Sequence, residues 1–112
     1  MKKLAILTCL QANDVCAGVS CLEALAARRG GFTSYAGQEV QLCAFLRCSH
    51  CGVNPTEDPG MLEKLERIAA CGVDAAHIGV CAQKKNGARC PQMEQAAAWL
   101  EARGIPIIWR TH

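Results

Sequence analysis

Aromatic side chains are scarce in this chain, at 4% of its 112 residues. Any core must therefore be filled mainly by aliphatic, alanine and other small side chains. No apolar run approaches the roughly 20 residues of a membrane-spanning helix, which argues against an integral membrane protein. Charge of one sign is also missing. The net charge is only +2, and the basic residues are scattered apart from Arg28-Arg29 and the group Lys84, Lys85 and Arg89. Such a surface carries no electrostatic footprint for nucleic acid. No GxGxxG stretch follows the first apolar run, so the usual dinucleotide phosphate cradle is absent. Ser, His and Asp show no spacing that suggests a hydrolytic triad.

What is present is a globular composition, 51% hydrophobic and 20% charged, in a length that suits one compact domain over residues 1–112. The opening Met1-Lys2-Lys3-Leu4-Ala5-Ile6-Leu7 imitates a secretory leader. Its apolar run is short, however, and no clear cleavage site follows, so a buried first strand is the better reading. This places the chain in the cytoplasm. Thiols stay reduced there, so nine cysteines point to metal or redox chemistry more than to structural disulfides.

Four strand-like segments alternate with three helix-like ones. Lys3 to Thr8, Val40 to Arg47, Asp74 to Val80 and Ile105 to Trp109 read as strands. The first helix lies within Ala17 to Arg29, with Val19, Leu22, Leu25 and Ala26 on its apolar face and Gly30-Gly31 closing it. Asp58-Pro59 opens the second, with the Asp58 carboxylate as the expected cap and Met61, Leu62, Leu65, Ile68 and Ala69 inward. Cys90-Pro91 opens the third, with Met93, Ala96, Ala97 and Leu100 inward. The alternation predicts an α/β fold: a small flavodoxin-like three-layer sandwich with a parallel sheet in the order 2-1-3-4.

In that arrangement all strand exits share one rim, the edge where open α/β sheets build their sites. Cys9, Cys48, Cys81 and His112 each fall just beyond a strand, and Cys16, Cys51 and Cys90 lie in the loops that follow. Cys48-Ser49-His50-Cys51 has the two-residue spacing that lets both sulfurs turn onto one zinc or iron at about 2.3 Å. The same spacing serves redox dithiols, but those start a helix at once, whereas Gly52, Asn54 and Pro55 intervene here. Cys16 and Cys90 precede helices, whose N-termini favour thiolate, the metal-binding form. Cys21, Cys43 and Cys71 read as packing residues, and His77 as a satisfied core histidine. His50 is either a further ligand or an exposed loop residue. Lys84, Lys85 and Arg89 form a solvated turn whose charge could steady an anionic centre.

Across its length the chain resembles the CGGC-domain family. The resemblance rests on Lys2-Lys3-Leu4-Ala5-Ile6-Leu7-Thr8-Cys9, Cys16-Ala17-Gly18, Cys48-Ser49-His50-Cys51-Gly52, the stretch from Val73 to Cys81, Cys90-Pro91 and the terminal Thr111-His112. Ser49 and His50 replace the two glycines that name the family, while both cysteines remain. The resemblance implies metal binding.

The expected function is thus a cytoplasmic metal-binding protein, with zinc favoured and Cys9, Cys16, Cys48, Cys51, Cys81, Cys90 and His112 as candidate ligands. Six thiols exceed one tetrahedral zinc shell, which leaves room for spare thiols, a second metal or an iron–sulfur cluster. The contrasting reading is a thiol–disulfide oxidoreductase in which Cys48 attacks and Cys51 resolves. A weaker third is a small-molecule binder whose cysteines are incidental.

Overall fold

The computed structural model describes residues 1–83 and 86–112, so the expected positive charge of Lys84 and Lys85 lies outside the described residues. Its strands are β1 (Lys2–Thr8), β2 (Val40–Arg47), β3 (Ala75–Ile78) and β4 (Ile107–Ile108), and its principal helices are α1 (Val19–Ala27), α2 (Pro59–Cys71) and α3 (Pro91–Glu101). All strand pairs are parallel and the order is β2-β1-β3-β4, as expected from the alternation.

The continuous apolar run of β1 follows from its position, because a central strand covered on both faces has no side to leave polar. Ala5 and Leu7 pack with Met61, Leu65 and Ile68 of α2 and with Met93, Ala96, Ala97 and Leu100 of α3. Leu4 and Ile6 pack on the other face with Cys21, Ala24 and Leu25 of α1 and with Phe32 and Tyr35 of the helical turn Gly30–Tyr35. Three layers result.

One irregularity decides which way the second half of β2 faces. Leu4 pairs with Leu42 but Ala5 pairs with Ala44, so Cys43 is an extra residue, a β-bulge. Before the bulge, Val40 and Leu42 pack on the α1 side; after it, Ala44, Leu46 and Cys48 pack on the α2 and α3 side. Side chains alternate along a strand, so without the extra residue Leu46 and Cys48 would turn to the opposite face.

Several expectations are corrected. The buried face of α1 is Cys21, Ala24 and Leu25, whereas Val19 and Leu22 are 56% and 43% exposed and Ala26 is exposed. The small Cys21 and Ala24 let this short helix approach the sheet more closely than a Val19 and Leu22 stripe would. The third strand ends at Ile78, because the Gly79 N–H makes a last ladder bond to the Leu7 carbonyl and Val80–Ala82 then winds into a helical turn. The fourth is confined to Ile107–Ile108, since Pro106 has no N–H and Ile105 donates back to Leu100 at the end of α3. Asp58 occupies the cap position of α2 but makes no capping hydrogen bond through its side chain.

His77 is a satisfied core residue, as expected. Its ring stacks on Phe32 with centroids 4.3 Å apart and is hydrogen-bonded to the Tyr35 hydroxyl at 2.9 Å and the Arg110 carbonyl at 3.1 Å. Burial pushes its pKa below 6.5, which keeps the ring neutral.

Candidate metal centre

The exits of β1, β2 and β3 are tied together by hydrogen bonds. Thr8, fully buried, donates its hydroxyl to the Leu46 carbonyl at 2.8 Å, and the Cys48 N–H donates to the Thr8 carbonyl at 2.9 Å. Beyond Thr8, the Cys9 N–H reaches the Cys81 sulfur at 3.2 Å. The exits of β2, β1 and β3 are therefore fixed side by side, and α3 brings Cys90 over them from its N-cap position.

Cys9, Cys48, Cys51 and Cys90 line one narrow crevice, together with His50, Gln92 and Met93; its volume is about 10 Å³. That is space for roughly one water-sized body. It adjoins an open cleft of about 600 Å³ lined by Cys9, Cys51, Cys81 and Cys90. Cys48 is buried and donates its S–H to the His50 carbonyl at 3.6 Å, while Cys90 donates to Gln92 Oε1 at 3.6 Å. Burial pushes the Cys48 thiol pKa up, and the adjoining Cys90, Cys51 and Cys9 thiols add to the effect. Cys81 is exposed as a residue, yet its sulfur lies against the Gly79 backbone, and burial of the thiol raises its pKa as well.

Cys16 and His112 stand apart from this crevice. The Gly18 N–H donates to Cys16 Sγ at 3.3 Å, and this bond, helped by Arg47, lowers the thiol pKa. The helix N-terminus therefore acts through one backbone donor at Gly18, which holds φ at +80°. His112 lies on the α1 side, with Nδ1 3.7 Å from the Cys21 sulfur, and Cys21 donates to the Thr111 hydroxyl at 3.2 Å. Two glycines make that placement possible. A Cβ on Gly30 would sit 2.3 Å from the Thr111 carbonyl oxygen, and one on Gly31 would sit 2.2 Å from that of Arg110.

Among the described residues no three Cys, His, Asp or Glu side chains converge in a finished ligand shell. The thiols share a crevice, and Cys48 and Cys90 there donate to protein oxygens. The sequence profile of the CGGC domain matches residues 3–112. The chain belongs to the CGGC domain family. No curated protein and no solved structure matches it.

In this CGGC domain the name-giving tetrapeptide, written Cys48-Ser49-His50-Cys51, carries a histidine with a defined partner. His50 Nδ1 pairs with Asp58 Oδ2 at 2.5 Å, and the Asp58 side chain is only 10% exposed. The imidazole holds the Asp58 carboxyl below its usual range. Carboxylates bonded to one ring nitrogen commonly fix the tautomer and orientation of a ligating histidine. The expected capping carboxylate is thus spent on aligning the loop between the two cysteines.

Three residues at this rim escape the sequence reading. Asp58 was legible only as a cap, and Cys21 only as packing. Arg47, the last residue of β2, donates to the Cys9 carbonyl at 3.1 Å and to the Cys16 carbonyl at 3.4 Å, so it clamps two thiol-bearing loops. Its position at a strand exit was the one available signal.

Proposed function

We propose that this CGGC domain is a cytoplasmic metal-binding protein whose ion is held by Cys9, Cys48, Cys51 and Cys90, with zinc as the preferred metal. The observation that carries this reading is the convergence of four thiols from three separate segments on a crevice with space for about one small body. Four sulfur donors are the usual complement of a tetrahedral zinc site. A bound zinc would keep the thiols ionised and lock the loops together. His50, aligned by Asp58, is the replacement ligand if one sulfur gives way. Cys81 borders the adjoining cleft as a spare thiol, and Cys16 and His112 serve as outlying groups.

The same observations weigh against a redox dithiol. An attacking thiol is normally exposed and acidified at the start of a helix. Cys48 is buried with a raised pKa, and α2 begins only at Pro59.

Elemental analysis and an absorption spectrum on anaerobically purified protein, with no metal or chelator added, test the proposal. Near-stoichiometric zinc, lost in Cys48→Ser and Cys51→Ser, is the expected result. Iron with sulfide and visible absorbance would replace zinc by a cluster. Folded protein that cannot be loaded with any metal would overturn the reading.

A further inference from the structure

Cys43 and Cys71 form a second thiol pair, away from the rim, for which packing alone was expected. Cys43 is the bulged residue of β2. By alternation from Leu42, which faces α1, the Cys43 side chain falls on the α2 side, where it packs against the same core as Cys71. Cys71 is the last residue of α2, and α2 runs back toward the end of the sheet where the strands begin. The two cysteines line one groove of about 370 Å³ with Phe45, Leu46, Ile68 and Lys64. Neither is fully buried. Cys43 donates its S–H to the Gln41 carbonyl at 3.8 Å; burial and the neighbouring Cys71 thiol raise its pKa, and Lys3, which donates to the Cys71 carbonyl at 3.4 Å, brings a partly offsetting positive charge beside the pair.

We propose that Cys43 and Cys71 are a peroxide-oxidisable dithiol, which closes to an intramolecular disulfide joining the β2 bulge to the end of α2. One thiolate attacks hydrogen peroxide, its sulfur is oxidised to a sulfenic acid and hydroxide leaves. The second sulfur then attacks the first and expels a second hydroxide. With the two thiol protons counted, two thiols and one peroxide give one disulfide and two waters. The groove gives a small oxidant access to both sulfurs. The remaining seven cysteines are not needed for this step, so the proposal stands or falls apart from metal binding.

Reduced, metal-free full-length protein is treated with about one equivalent of hydrogen peroxide, alkylated, and cut with trypsin and a protease that cleaves before Asp74. Cys43 then lies on peptide 30–47 and Cys71 on peptide 68–73, separate from every other cysteine. The expected product is these two peptides joined. The link should be lost in Cys43→Ser, retained in Cys48→Ser, and replaced by mixed pairings when peroxide is added in urea. Recovery of both peptides fully alkylated, at a dose that oxidises rim thiols, would overturn the proposal. So would predominant pairing of either cysteine with a rim thiol in the folded protein.

Discussion

The sulfur of Cys81 accepts the backbone N–H of Cys9 at 3.2 Å, one step beyond the last ladder bond from Gly79 to Leu7. A side-chain sulfur thus takes over where the main-chain pairing of β1 and β3 stops. The two exits remain adjacent although β3 has already turned away into Val80–Ala82.

Replacing Cys81 by alanine removes that acceptor. Stability should fall by about 0.5–1.5 kcal/mol, the net worth of an ordinary hydrogen bond. Hydrogen exchange followed by NMR should show the Cys9 amide exchanging faster while amides within β1 stay protected. Unchanged Cys9 protection would show that the sulfur is not its acceptor.

Gly31→Ala should be costly for a different reason, since the new Cβ would meet a backbone oxygen that no rotamer change can move aside. A loss of about 1–3 kcal/mol is expected from such overpacking, read as a lower midpoint in urea. Because the segment Arg110 to His112 must shift, Cys21 should also become more reactive toward a thiol-alkylating reagent.

His77 makes stability depend on pH. Its folded pKa lies below the unfolded value of about 6.5, so in that interval the unfolded chain binds the proton and the folded chain does not. Stability should therefore be complete above about pH 6.5 and fall as the pH drops below it, by at most about 1.4 kcal/mol per unit from this one group. His77→Phe should flatten that slope. It should also lower stability at neutral pH, because the Tyr35 hydroxyl and the Arg110 carbonyl lose their partner. Urea titrations of both proteins at several pH values provide the check.

Asp58→Asn isolates the carboxylate–histidine pair. The Asp58 pKa is depressed when folded, so its contribution is present above the unfolded carboxyl value and is lost as the pH falls through the folded one. The variant should lose that acid-side dependence. If His50 is aligned for metal, affinity for added zinc should fall by about tenfold or more, as for other groups that orient ligands. A competition titration with a coloured chelator would measure it, and equal affinity would remove His50 and Asp58 from the site.

Arg47→Gln separates the clamp from the sulfur chemistry. In metal-free protein the pH midpoint for alkylation of Cys16 should move upward, because Arg47 is one of the groups lowering that thiol pKa. The remaining depression comes from the Gly18 N–H and should survive the substitution. Peptide-resolved alkylation rates across pH values would distinguish the two contributions.

Much of the architecture was legible because periodicity and punctuation agreed. Met93, Ala96, Ala97 and Leu100 are the buried residues of α3, and Pro59 and Pro91 begin their helices. The face of α1 was legible only at Leu25, because hydrophobicity favoured Val19 and Leu22 while close approach to the sheet favoured Cys21 and Ala24. Nor was the bulge: within Val40-Gln41-Leu42-Cys43-Ala44-Phe45-Leu46-Arg47 the apolar residues run on both sides of Cys43, so a change of phase leaves no gap in the pattern. The gathering of strand exits followed from topology. The partners of His50, Arg47 and Cys21 depend on loop paths that spacing does not encode.

The same bulge has a bearing on how the molecule meets its own copies. β2 is the long outer strand of the sheet, and β4 on the opposite side has only two paired residues. A straight, regular outer strand offers a row of unpaired amides and carbonyls to any neighbouring chain. The bend at Cys43 breaks that row, and the shortness of β4 leaves little to template on the other side. The sheet thereby resists growth by strand addition at both borders.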